Sequence, residues 1–124
     1  MRFHIRMGIP EVKSLWDDLA NRDAIGRLDS QELKFFKKLA KALFLIEENP
    51  RHNSLQSHEI EALTRRVGFK VFQSNLENNT PAAGRIFWAY GPRKGEISIL
   101  SIQSHPEDKK SRGYDAVKLS AFPT

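Results

Sequence analysis

Phe3, Ile5 and Met7 alternate with Arg2, His4 and Arg6, a period of two that predicts a half-buried strand ended by Gly8 and Pro10. Pro10 suits the first turn of a helix. Val12, Leu15, Trp16 and Leu19 then recur at helical spacing and predict a helix to about Asn21, with Trp16 as a core anchor. Asp29 followed three residues later by Glu32 has the form of a capping box and marks the start of a longer helix. Its apolar face is Leu33, Phe36, Leu39, Ala40 and Leu43, widened by Phe35, Phe44, Leu45 and Ile46. Lys34, Lys37, Lys38 and Lys41 fall on the other side, as a solvated surface or a nucleic-acid contact. The residue before a proline avoids helical backbone, so this helix stops by Asn49-Pro50.

Residues 51 to 66 mix His52, His58, Glu59, Glu61, Arg65 and Arg66 with few apolar positions, and read as a connection with a short strand near residues 60 to 63. Val67, Phe69 and Val71 alternate and predict a strand over residues 67 to 73. Residues 74 to 81 are rich in turn formers and predict an exposed loop. Next come two runs of β-branched and aromatic residues, 85 to 90 and 96 to 103, joined by Gly91-Pro92-Arg93-Lys94-Gly95. They predict a hairpin at the centre of the sheet. Near the C-terminus Val117 and Leu119 alternate with Lys118 and Ser120, the pattern of a last short edge strand. The order predicts one α+β domain over residues 1 to 124, with helices on one side of a largely antiparallel sheet.

Composition narrows the class. With 40% hydrophobic residues, 124 positions suffice for one core and are too few to expect two. The first residues lack the apolar run of a signal peptide, and no stretch approaches the roughly 20 apolar residues of a membrane span. Cysteine is absent, which removes disulfides and thiolate metal sites and suits a reducing cytoplasm. The net charge of +5 is uneven, since residues 1 to 50 hold nine Lys/Arg against eight Asp/Glu and residues 51 to 124 hold eleven against seven. Most of the surplus lies in the half that contains the hairpin. It favours a nucleic acid, an anionic surface or an acidic protein as partner.

The histidines at 4, 52, 58 and 105 never fall at the i, i+4 spacing of a helical zinc site, and the glycines form no nucleotide-binding pattern. Neither metal nor cofactor is expected, and no nucleophile serine is flanked by glycines. Metal-free RNA cleavage asks for less. The ribose 2′-hydroxyl is the nucleophile, so a base, an acid and cations near the phosphate are enough. Arg85 and His105 stand at the two open ends of the predicted hairpin, which antiparallel pairing makes neighbours. His105 titrates near neutral pH, Glu59 or Glu61 is a candidate base, and Arg85 with Arg65 or Arg66 presents a fork of donors to phosphate. Tyr114 is a candidate to stack on a base, and Lys109, Lys110 and Arg112 add basic contacts. Each has a structural use as well: Arg85 as an ion-pair partner of Glu77 or Asp108, His105 closing a turn, the glutamates on a solvent face and Tyr114 at a core edge.

Several runs together carry a family resemblance. Asn49-Pro50-Arg51-His52, Ser54-Leu55-Gln56-Ser57-His58 with Ile60, Arg85-Ile86-Phe87-Trp88, and Ile97-Ser98-Ile99-Leu100 with His105 resemble the RelE/ParE superfamily of bacterial type II toxins. The resemblance runs from about residue 30 to Tyr114. It implies the RelE-like toxin fold, a helical hairpin against a twisted, mainly antiparallel sheet. For the RelE branch it implies metal-independent mRNA cleavage at the ribosome and a cognate antitoxin that covers the toxin. Arg85 then matches the family's phosphate-binding arginine, His105 the position after the next strand, and Tyr114 the C-terminal tyrosine. Glu59 and Glu61 stand where several relatives carry lysines, so the base implied is a carboxylate. The ParE branch implies instead a non-catalytic binder of DNA gyrase, and charge alone also fits a plain nucleic-acid-binding domain.

Overall fold

The computed structural model describes residues 2–7, 11–76 and 84–103. β1 is His4–Met7, and α1, Glu11–Ala24, extends three residues beyond the expected Asn21. α2 is Ser30–Glu48 and begins at the capping box: the Asp29 carboxylate accepts from the Glu32 amide at 2.8 Å, and Glu32 accepts from the Asp29 amide at 3.1 Å. Such a cap contributes about 1 kcal/mol. Arg22 reaches across from α1 to donate to Glu32 at 2.7 Å, and this hydrogen bond is the main cause that lowers the Glu32 carboxyl pKa from its usual range. A lowered carboxyl supports the fold above its unfolded pKa, and that support fades as acid protonates it. α2 stops at Glu48 with Asn49 as its extended C-cap, as the following proline predicts.

β1 and the strand after α2 lie at opposite edges of one five-stranded sheet, so the α1–α2 hairpin crosses a whole face of it. A short 3-10 turn over Asn53–Leu55 leads into β2, His58–Glu59, and then α3, Glu61–Val67. β3 is Phe72–Asn75, β4 Arg85–Tyr90 and β5 Glu96–Gln103. The sheet order is β1-β5-β4-β3-β2, with β1 parallel to β5 and the other three pairings antiparallel. This is a mixed sheet in an α+β arrangement.

Three expectations need correction. Residues 60 to 63 do not form a strand; Ile60 is the N-cap of α3, and it packs in one cluster with Leu63 and Val67 of that helix, a helical spacing in a segment with few other apolar residues. The alternation of Val67, Phe69 and Val71 is also not a strand. Val67 ends α3, Gly68 caps it at φ 88, and the ladder begins only at Phe72. Finally, helices cover both faces. One cluster joins Val12, Leu19, Leu39 and Ile46 of α1 and α2 to Ile86, Trp88, Ile97 and Ile99, while a second joins Ile60 and Leu63 to Phe87, Ala89 and Leu100. β4 is therefore buried on both sides, with Ile86, Phe87 and Trp88 fully enclosed.

Opposite the Phe87/Trp88 step the ladder slips by one, since Phe87 pairs with Ser101 and Trp88 with Ile99. Leu100 is the extra residue of a bulge, and it returns Ile102 to the face of Ile86. Among the described residues no helix is long and apolar enough to cross a membrane. The expected edge strand near Val117 and most of the expected loop after Asn75 lie outside the described residues, while Ser74 and Asn75 belong to β3 and Leu76 is buried.

Candidate functional site

Arg85 opens the central strand, opposite Asn75 on β3 and Gln103 on β5. The two ends of the β4–β5 hairpin are thus neighbours, as the sequence predicts. Strand alternation puts Arg85 on the α3 face with Phe87 and Ala89, and its guanidinium carbon lies 5.8 Å from the centre of the Phe87 ring. His105, two residues past Gln103, lies outside the described residues, as do Lys109, Lys110, Arg112 and Tyr114.

A residue named in the sequence analysis but assigned no role there shares the face of Arg85. His58 pairs with Gln73, and Gln73 with Phe87, and residues paired across strands point to the same side. The exposed His58 ring has Nδ1 at 2.9 Å from the Gln56 carbonyl oxygen. A carbonyl only accepts, so Nδ1 carries the hydrogen and Nε2 of the neutral ring keeps its lone pair. Gln56 is held in turn: its backbone is left-handed at φ 51, and its side-chain oxygen accepts from Asn75 Nδ2 at 2.7 Å. A bonded path therefore runs from His58 through Gln56 to Asn75, the register neighbour of Arg85. Two strand spacings and two residues separate the His58 and Arg85 backbones, about 12 Å, within which both long side chains can meet one phosphodiester.

Glu59, one residue on, pairs with Phe72 and through it with Trp88, so it belongs to the opposite face, the one that carries α1 and α2. The structure does not bring it to Arg85. Glu61 is exposed in the first turn of α3, and Arg65 and Arg66 are exposed in its last. Because α3 packs by Ile60 and Leu63 on the second cluster, these arginines lie on the same side of the sheet as Arg85 and His58.

The segment that leads to His58 is tied to the core by a directed chain of hydrogen bonds. Trp88 Nε1 donates to Ser74 Oγ at 2.8 Å, Ser74 and Ser57 hydroxyls meet at 2.6 Å, and Ser57 donates to the Pro50 carbonyl at 2.6 Å. Since the single Ser57 proton goes to Pro50, Ser74 is the donor to Ser57. Trp88 itself is fully buried and stacked on Phe72 with ring centres 4.7 Å apart, and Arg51 covers the Phe72 ring at 5.5 Å. At the start of the 3-10 turn, His52 Nδ1 accepts from the Ser54 amide at 3.1 Å. The 49-to-57 loop is thereby fixed against the sheet that carries Arg85.

This arrangement places a proton acceptor and a fixed cation on one face of the sheet, the face on which α3 with its two arginines packs. Among the described residues no three His, Asp or Glu side chains are grouped to hold a metal ion. Compared with protein-family models, with curated proteins and with solved structures, the chain has no match.

Proposed function

We propose that the chain is a metal-independent endoribonuclease that cuts mRNA at the ribosome, the toxin of a toxin-antitoxin pair. The observation that carries this reading is the shared face of His58 and Arg85, with Nδ1 of His58 committed to the Gln56 carbonyl and no partner of Nε2 among the described residues. The element order, a helical hairpin followed by an antiparallel meander, is in keeping with the resemblance to RelE-type toxins.

In the reaction His58 Nε2 removes the proton of a ribose 2′-hydroxyl. The 2′-oxygen attacks the adjacent phosphorus, the bond to the 5′-oxygen breaks, and a 2′,3′-cyclic phosphate forms. The Arg85 guanidinium faces the phosphate oxygens as they gain charge, and Arg65 and Arg66 hold the flanking backbone. His105, which the resemblance matches to the position after the next strand, is then left as the acid for the departing 5′-oxygen, and Tyr114 stacks on a base. The antitoxin covers this basic face.

Induced expression of the chain in a sensitive bacterial host tests the proposal. Primer extension on abundant messages is expected to show cuts at fixed positions within codons while replication continues. Growth arrest with intact messages and stalled replication would contradict it, and is the result a gyrase binder gives.

A further inference from the structure

Asn75 ends β3 directly opposite Arg85, and residues paired across antiparallel strands point to one side, so Asn75 stands on the α3 face with Arg85 and His58. It is only 7% exposed. Its Nδ2 donates to Gln56 Oε1 at 2.7 Å, while its Oδ1 is enclosed and has no hydrogen-bond partner among the described residues. A buried acceptor left unmet is costly. Enclosure keeps a substrate from reaching this oxygen, so the donor that relieves the cost has to come from a neighbouring side chain.

The register sets the Arg85 side chain beside it. Directly opposed residues hold their Cβ atoms about 4.5–5.5 Å apart, and a guanidinium is a rigid fork of N–H donors with no acceptor of its own. The Phe87 ring supports that fork at 5.8 Å, but a ring face has no direction within its plane and does not fix which N–H points where. A guanidinium that gives its terminal nitrogens to a phosphate leaves Nε–H for a protein acceptor. We propose that Asn75 is a positioning residue for Arg85: as the fork takes the phosphate, Arg85 Nε–H donates to Asn75 Oδ1 and the guanidinium is fixed in its plane. Asn75 is braced in turn, because Nδ2 is bound to the Gln56 side chain, whose backbone carbonyl holds His58 Nδ1. One amide thus ties the orientation of the cation to that of the base. The proposal rests on the ribonuclease reading only in making the phosphate part of RNA.

The first test reads the contact itself, by NMR of the Arg85 Nε–H group in the full chain. A short single-stranded oligonucleotide with 2′-deoxyribose throughout, which cannot be cut, is added to millimolar concentration. The Arg85 Nε–H signal is expected to shift downfield and to exchange with water at least about tenfold more slowly. Asn75→Leu, or Asn75→Ala where the leucine variant does not fold, should remove that response. Asn75→Asp keeps an acceptor, and the Gln56 amide can turn over to donate to it, so the response should return. An Nε–H signal that ignores the oligonucleotide, or one that responds equally in folded Asn75→Leu, would overturn the proposal.

The second test is single-turnover cleavage on programmed ribosomes. Asn75→Leu should slow the cleavage step by about tenfold and move the half-saturating concentration by less than about twofold, with most of the rate recovered in Asn75→Asp. In the Arg85→Ala background the same substitution should cost less than about twofold, because the group it positions is gone. An equal loss in both backgrounds, as a merely structural role gives, would also overturn the proposal. A chain that shows the Nε–H response but cuts nothing refutes only the nuclease, and one that cuts messages without the response refutes only the contact.

Discussion

Arg85→Ala is expected to lower mRNA cleavage by about 10²–10³-fold, the usual loss when one preorganised group facing transition-state charge is removed. Arg85 has the features that make such a group effective. It starts the central strand, is half-buried, and sits over the Phe87 ring at 5.8 Å, so little reorganisation is needed when charge develops. Arg85→Lys keeps the charge but not the planar fork and should recover only part of the loss. Single-turnover cleavage on programmed ribosomes measures both, and thermal melts verify that each variant is folded. Full activity in folded Arg85→Ala would remove this residue from the mechanism.

Trp88→Ala is expected to destabilise the chain by about 3–5 kcal/mol, read from urea unfolding. The indole is fully enclosed, stacks on Phe72 and meets Tyr90 edge-on at 5.1 Å, so its loss leaves a cavity between the sheet and the helical hairpin. The milder Trp88→Phe keeps much of the packing but removes the donor to Ser74, the first link of the chain through Ser57 to the Pro50 carbonyl. That variant should fold, with a smaller loss of stability, and still cleave more slowly, because the loop before His58 loses its tie to the core. A destabilisation under about 1 kcal/mol for Trp88→Ala would mean that the packing around this indole is not what holds the sheet to the helices.

The hairpin of β4 and β5 was legible to the residue, because long β-branched and aromatic runs flank a Gly-Pro turn and nothing competes with them. The start of α2 was equally legible, since a capping box is a local device readable from two side chains. The region between Arg51 and Phe72 was not. β2 has two residues and offers no period, and α3 is too short for its apolar side to stand out. Its helical state depends on burying Ile60 and Leu63 against Phe87 and Leu100, a contact between distant parts of the chain.

The same obscurity hid the site. Side chains alternate along a strand, so the choice between His58 and Glu59 depends on a register with β3 that local sequence does not set. Arg85 was found because its strand was found.

The most direct test of the account compares two neighbouring residues on opposite faces. His58→Gln and Glu59→Gln, expressed side by side and followed by primer extension, should part company: cuts lost or reduced by at least about 10²-fold in the histidine variant, and retained in the glutamate variant. Cuts that survive His58→Gln and vanish in Glu59→Gln would contradict the site on the α3 face.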